Sequence, residues 1–89
     1  MKSRTTPRFR MLLAALPDQA QNQARQAYRL FVVNPWHPGL RFRRVREDAP
    51  THSVRIGARY RALGYFEGDT LVWVWIGTHA DYDQLLARR

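Results

Sequence analysis

The chain of 89 residues contains no cysteine. Disulfides, thiol nucleophiles and thiolate metal sites are therefore excluded. Its histidines, His37, His52 and His79, are scattered and form no zinc-ligand spacing, so neither a metal nor another cofactor is expected. Acidic residues are scarce, and lysine is almost missing, with Lys2 its sole example. No apolar run approaches the roughly 20 residues of a membrane span, and the longest, Leu71 to Ile76, reads as a strand. The basic N-terminus runs into Pro17 and a polar helix without a small-residue cleavage site, so it does not read as a signal peptide. A soluble cytoplasmic protein with no membrane partner is expected.

What is present in excess is arginine. Fifteen basic residues face seven acidic ones, giving a net charge of +8 and an isoelectric point near 11.3. Such a field favours polyanions, and nucleic acid is the commonest polyanion in a cytoplasm. Arginine in place of lysine suits bidentate contacts with phosphate, although a GC-rich genome would also spell its cations this way. An acidic protein partner fits the charge as well as RNA does. Hydrophobic residues make up 45% and aromatics 12%, enough for one packed core in one domain spanning residues 1–89.

The first third carries helical signals. Thr6 is placed to cap a helix with Pro7 at its first position. Phe9, Leu12, Leu13 and Leu16 follow the i, i+3, i+4, i+7 spacing of one apolar face. Pro17 stops that helix, Asp18 can cap a second, and Ala20, Ala24, Ala27, Tyr28 and Phe31 form its stripe. Asn34-Pro35 ends it, because a residue before proline disfavours helix. The short link predicts an antiparallel helical hairpin.

After a turn at residues 36–39 the period changes to two. Leu40, Phe42 and Val45 predict a strand with Arg41 and Arg43 on its other face. Residues 46–50 read as a polar loop. Val54 and Ile56 begin another alternation, which Tyr60 and Ala62 resume. A three-residue loop, Gly57-Ala58-Arg59, sets Ile56 opposite Tyr60, Arg55 opposite Arg61 and Val54 opposite Ala62. That register puts the apolar residues on one face and both arginines on the other, whereas a two-residue loop would scramble the faces. Glu67-Gly68-Asp69 turns the chain into Leu71 to Ile76, apolar on both faces as in a central strand. Residues 80–88 predict a short helix with Tyr82, Leu85 and Leu86 for packing. The expected fold class is α+β: a helical hairpin on a four-stranded, mainly antiparallel sheet, with a short C-terminal helix.

In this arrangement the segment Arg55-Ile56-Gly57-Ala58-Arg59-Tyr60-Arg61 resembles the R-x-G-x-x-Y-R hairpin of RelE/ParE superfamily toxins. The run from Trp73 through His79 to Tyr82 is similar to their last strand, which ends in a basic residue followed closely by a tyrosine. The order of the helical hairpin, the Asn34-Pro35 stop and the Leu40-Arg41-Phe42 segment extends the likeness over nearly the whole chain. The resemblance implies the toxin of a type II toxin–antitoxin pair, neutralised by a cognate antitoxin that wraps it. RelE-like members cut mRNA on the ribosome as metal-independent endoribonucleases (mRNA interferases) and so inhibit translation. ParE-like members inhibit DNA gyrase without catalysis, and a non-toxic antitoxin-binding member is a further alternative.

A metal-free ribonuclease helps a 2′-hydroxyl attack the adjacent phosphorus, stabilises the phosphorane and protonates the leaving oxygen. Arg61 occupies the position at which RelE-like nucleases carry a phosphate-binding arginine, and Arg55 is expected across the hairpin from it. The plain alternative for both is a solvated strand face. His79, at the end of the central strand, is the candidate acid or base, or else it caps the last helix. Tyr82 can stack on a base or lend its hydroxyl, or pack the helix onto the sheet. Arg41, Arg43 and Arg44 form a basic strand able to follow an RNA backbone. Arg59 lies in the hairpin loop, where solvent is the plain alternative. Some RelE-like nucleases place lysines near this strand and others use a glutamate. Here there is no such lysine, and Glu47 has no supporting motif, so the general base is unassigned. His37 reads as a turn anchor, and Trp73 and Trp75 as packing.

Overall fold

The structure, a computed structural model, describes residues 2–46 and 50–87. The chain opens with strand β1 (Lys2–Thr5), followed by helices α1 (Pro7–Ala14) and α2 (Asp18–Val33). A 3₁₀ turn at Pro38–Leu40 leads into strands β2 (Arg43–Arg44), β3 (Thr51–Ile56), β4 (Tyr60–Glu67) and β5 (Thr70–Thr78), and helix α3 (His79–Ala87) closes it. The sheet order is β1-β5-β4-β3-β2, antiparallel throughout except for the β1–β5 pair. The α+β class and the mainly antiparallel sheet are as expected, but the sheet has five strands rather than four. The added strand, Lys-Ser-Arg-Thr, has no apolar alternation and exists only because it pairs with β5, Lys2 opposite Thr70 through Thr5 opposite Trp73. Lys2–Asp69 and Arg4–Glu67 ion pairs flank it at 3.9 and 3.1 Å.

Thr6 caps α1 as expected: its Oγ1 accepts from the Phe9 N–H at 3.1 Å, with Pro7 in the first turn. α1 ends at Ala14, three residues ahead of Pro17. Asp18 does not cap α2; Pro17 holds that place and Asp18 sits in the first turn, where its charge suits the helix dipole. Of the expected stripe, Ala20 and Phe31 are buried and Ala24 and Ala27 pack against the core. Tyr28 is instead 46% exposed, with its hydroxyl 2.9 Å from Ser3 Oγ. Asn34 is extended and ends the helix, and its Oδ1 accepts from the Trp36 N–H.

The strand expected from Leu40 is shortened to Arg43–Arg44. His37 Nδ1 accepts from the Gly39 N–H at 3.0 Å and winds residues 38–40 into the turn, the anchoring role expected of His37. Arg41 then takes a left-handed φ of 47°, which interrupts extended backbone. Leu40 and Phe42 are buried nonetheless. The β3–β4 hairpin has the expected register, with Ile56, Arg55 and Val54 opposite Tyr60, Arg61 and Ala62. Gly57 supplies the left-handed residue of its loop at φ 58°.

The main core lies between the helical hairpin and one face of the sheet, where Phe31, Val54, Ile56, Ala62, Leu71, Trp73 and Ile76 meet Phe9 of α1. Leu63, Trp75 and Tyr82 form a smaller cluster on the other face, backed by Leu85 and Leu86 of α3. A β-bulge decides which face each tryptophan serves. Leu63 pairs with Trp75 and Gly64 with Trp73, so Val74 is the extra residue and the alternation of β5 changes phase there. Trp73 therefore packs under the helices and Trp75 on the opposite face.

Candidate functional site

Arg61 is the centre of the face turned away from the helical hairpin. It stands opposite Arg55 on β3 and opposite Gly77 on β5. Its Nη1 is buried and has no hydrogen-bond partner among the described residues. Burial of the guanidinium, and next the charge of Arg55, hold its pKa below the ordinary arginine value; Tyr82 opposes this, while Arg41 and Arg43 add to it. An arginine so placed stays charged, so the free protein holds a poorly compensated cation. A buried donor without a partner costs about 1–3 kcal/mol, and more when charged.

The neighbours follow from strand register. Arg43 lies opposite Ser53, in the cross-strand row that continues through Leu63 and Trp75, and so on the same face as Arg61. Arg44 lies opposite His52, and alternation turns it to the other face, away from Arg43. Arg55 donates from Nε to the Gly57 carbonyl at 3.0 Å, a bond that steadies the side chain without consuming its terminal nitrogens. Arg59 is exposed in the hairpin loop, and its carbonyl accepts from the His79 N–H at 2.6 Å. That bond ties the start of α3 to the hairpin.

Helix α3 closes the site. Tyr82 is buried, its ring 6.4 Å from Trp75 and 6.2 Å edge-on from His79. Thr78 caps the helix by accepting from the Asp81 N–H at 3.1 Å, so this task does not fall to His79. The His79 ring is about half exposed, with Nδ1 3.2 Å from Asp83 Oδ2. Gly77 admits the Trp75 ring: a Cβ there would lie 2.6 Å from Trp75 Cζ2. Trp75 is thus a wall of the site rather than an exposed platform. Arg61, Arg55, Arg41, Arg43 and Tyr82 are gathered in one field, with His79 at its rim beside Tyr82. Glu47 lies outside the described residues.

Over residues 18–84 the sequence matches the family model of the ParE-like toxin domain. The chain belongs to that family. This is the kind of family that the resemblance of the hairpin at residues 55–61 implied. A comparison with curated protein sequences gives no match. Among solved structures, the ParE-like fold superposes on YafQ from E. coli with a TM-score of 0.73 at 10% identity, covering 91% of this chain and 96% of that one. It superposes on the RelBE2 toxin–antitoxin complex from Mycobacterium tuberculosis at 0.70 and 23% identity, covering 88% and 96%. The RelB–RelE antitoxin–toxin complex from Methanococcus jannaschii gives 0.67 at 13% identity, covering 91% and 95%. At these identities the likeness shows the fold.

Two features of the candidate site were missed in the sequence. Asp83 could have been found, because it lies one helical turn from His79. The role of Gly77 could not, because it depends on the phase of the bulge. A cleft of about 560 Å³ lies on the other side of the sheet, lined by Phe9, Phe31, Ile56 and Trp73, and holds none of the candidate site residues.

Proposed function

We propose that this ParE-like toxin is a metal-independent endoribonuclease that cuts mRNA on the ribosome and is held inactive by a cognate antitoxin. The observation that carries the reading is the buried, unpartnered Nη1 of Arg61, set among Arg55, Arg41 and Arg43. A phosphodiester is the ligand that satisfies such an arrangement, since its oxygens accept several guanidinium bonds at once and neutralise the repulsion among them. In the reaction, O2′ bonds to phosphorus as the P–O5′ bond breaks, leaving a 2′,3′-cyclic phosphate and a 5′-hydroxyl. Arg61 and Arg55 hold the phosphorane charge, His79 carries the proton transfer, and Tyr82 fixes the wall beside them. Arg41 and Arg43 extend the contact along the backbone, with Arg59 as an outer phosphate contact, while Arg44, on the other face, stands outside it.

An antitoxin partner is supported by the solved neighbours that are toxin–antitoxin complexes, and the charge of +8 suits an acidic wrapping segment. The cytoplasm is where such a target and partner meet. A second reading, inhibition of DNA gyrase by surface contact, is favoured by the lack of any lysine on this face: Lys2, the sole lysine, pairs with Asp69 on β1.

The deciding experiment is brief induction of the chain alone in growing bacteria, with mRNA 5′ ends mapped and DNA damage followed in parallel. Cuts within translated codons that disappear in R61M are expected. Intact mRNA with a gyrase-dependent damage response would establish the second reading instead, and normal growth would point to a non-toxic, antitoxin-binding member.

A further inference from the structure

We propose that Asp83 is a positioning residue that holds the His79 imidazole in the tautomer of a general base. The proposal rests on the ribonuclease reading above and supplies the base that the sequence left unassigned. His79 and Asp83 are one turn apart on α3, and the Nδ1–Oδ2 distance is 3.2 Å. A carboxylate has only lone pairs to offer, so Nδ1 carries the proton and donates it. In the neutral ring the lone pair then resides on Nε2. Neutral histidine in water prefers the reverse arrangement, with the proton on Nε2, so the contact reverses an intrinsic preference.

Everything else about His79 is already tied down. Its backbone N–H is held by the Arg59 carbonyl, its ring meets Tyr82 edge-on at 83°, and Thr78 does the helix capping. Among the described residues Nε2 is the ring nitrogen left for a substrate, on a side chain 47% exposed. An exposed i,i+4 pair adds little to stability, so the fold has small need of this contact.

The chemistry closes without another reactant. Nε2 takes the 2′-hydroxyl proton as O2′–P forms, and the P–O5′ electron pair leaves on O5′, which takes a proton from water. The imidazolium, its Nδ1–H still on the Asp83 carboxylate, returns the proton to the hydroxide so formed. Asp83 thus orients the base and steadies its transient charge, as a carboxylate does for histidine in a hydrolase triad.

The test combines nitrogen NMR of the His79 ring in the full chain with ribosome-dependent mRNA cleavage, for wild type, D83A, D83N and H79Q. In the neutral ring, wild type is expected to be mainly Nδ1–H, and both D83A and D83N mainly Nε2–H, because the Asn amide can turn its NH2 to donate to Nδ1. Cleavage is expected to fall about tenfold in D83A and at least as far in D83N, part of the 10²–10⁴ that removing a general base costs, and about 10²-fold or more in H79Q. Cleavage that needs His79 but is unchanged in D83A, or a tautomer indifferent to residue 83, would overturn the role of Asp83 alone. No cleavage by the wild type, or full cleavage by H79Q, would overturn the ribonuclease assignment of His79 and this proposal with it.

Discussion

On the helix-covered face of the sheet, Val54, Ile56, Ala62, Leu71 and Ile76 are almost fully buried and touch one another and α1 or α2. On the opposite face of the same strands, Arg55 and Arg61 stand across from each other, and a guanidinium nitrogen is buried without a partner. The first face removes apolar area from water, at about 25 cal/mol per Å². The second accumulates like charge and spends part of that stability. Arg61 is half-buried with one guanidinium nitrogen out of solvent, so an apolar side chain at residue 61 is expected to cost the fold little or nothing. A phosphate contact, as proposed above, would give that arginine its use.

The contrast can be broken at single residues. Leu71 is 0% exposed, so L71A should lose about 2–5 kcal/mol in denaturant unfolding and bring toxicity down only through loss of folded protein. R61M should behave in the opposite way. Its thermal midpoint is expected to equal or exceed that of wild type, while RNA cleavage falls about 10²–10³-fold, as for loss of one transition-state donor. A lower midpoint in R61M would mean that the arginine is structural.

Smaller effects sharpen the boundary between the faces. G77A sets a methyl group 2.6 Å from Trp75 Cζ2, and the displaced ring should cost about 1–3 kcal/mol and change tryptophan fluorescence. It should also lower cleavage, because Trp75 walls the arginine site. T6A removes the cap of α1 and should cost about 1 kcal/mol by thermal melting, with cleavage per folded molecule unchanged. A cleavage defect in T6A would show that the two faces are coupled through α1.

The hairpin was legible because alternation and loop length constrain each other: only a three-residue loop keeps Val54, Ile56 and Ala62 together and sends Arg55 and Arg61 the other way. Helix starts and stops were legible where proline or a capping hydroxyl acts locally, as at Thr6-Pro7 and Asn34-Pro35. β1 was not, because Lys2–Thr5 has no pattern of its own and becomes a strand only beside β5. The strand expected from Leu40 was too long, because the His37 side chain winds the turn and Arg41 adopts a left-handed conformation that no local pattern announces.

Residue type and spacing by themselves determined the fold class, the helical hairpin, the hairpin register and the pairing of Arg55 with Arg61. These depend on chain-local sterics and on one periodicity at a time. Tertiary structure alone decided which tryptophan faces the arginines, because Leu71 to Ile76 is apolar throughout and reads the same in either phase. The bulge at Val74 chose the phase when β5 met β4, and it brought Trp75 and Gly77 to the arginine face, against Tyr82 and beside Arg61.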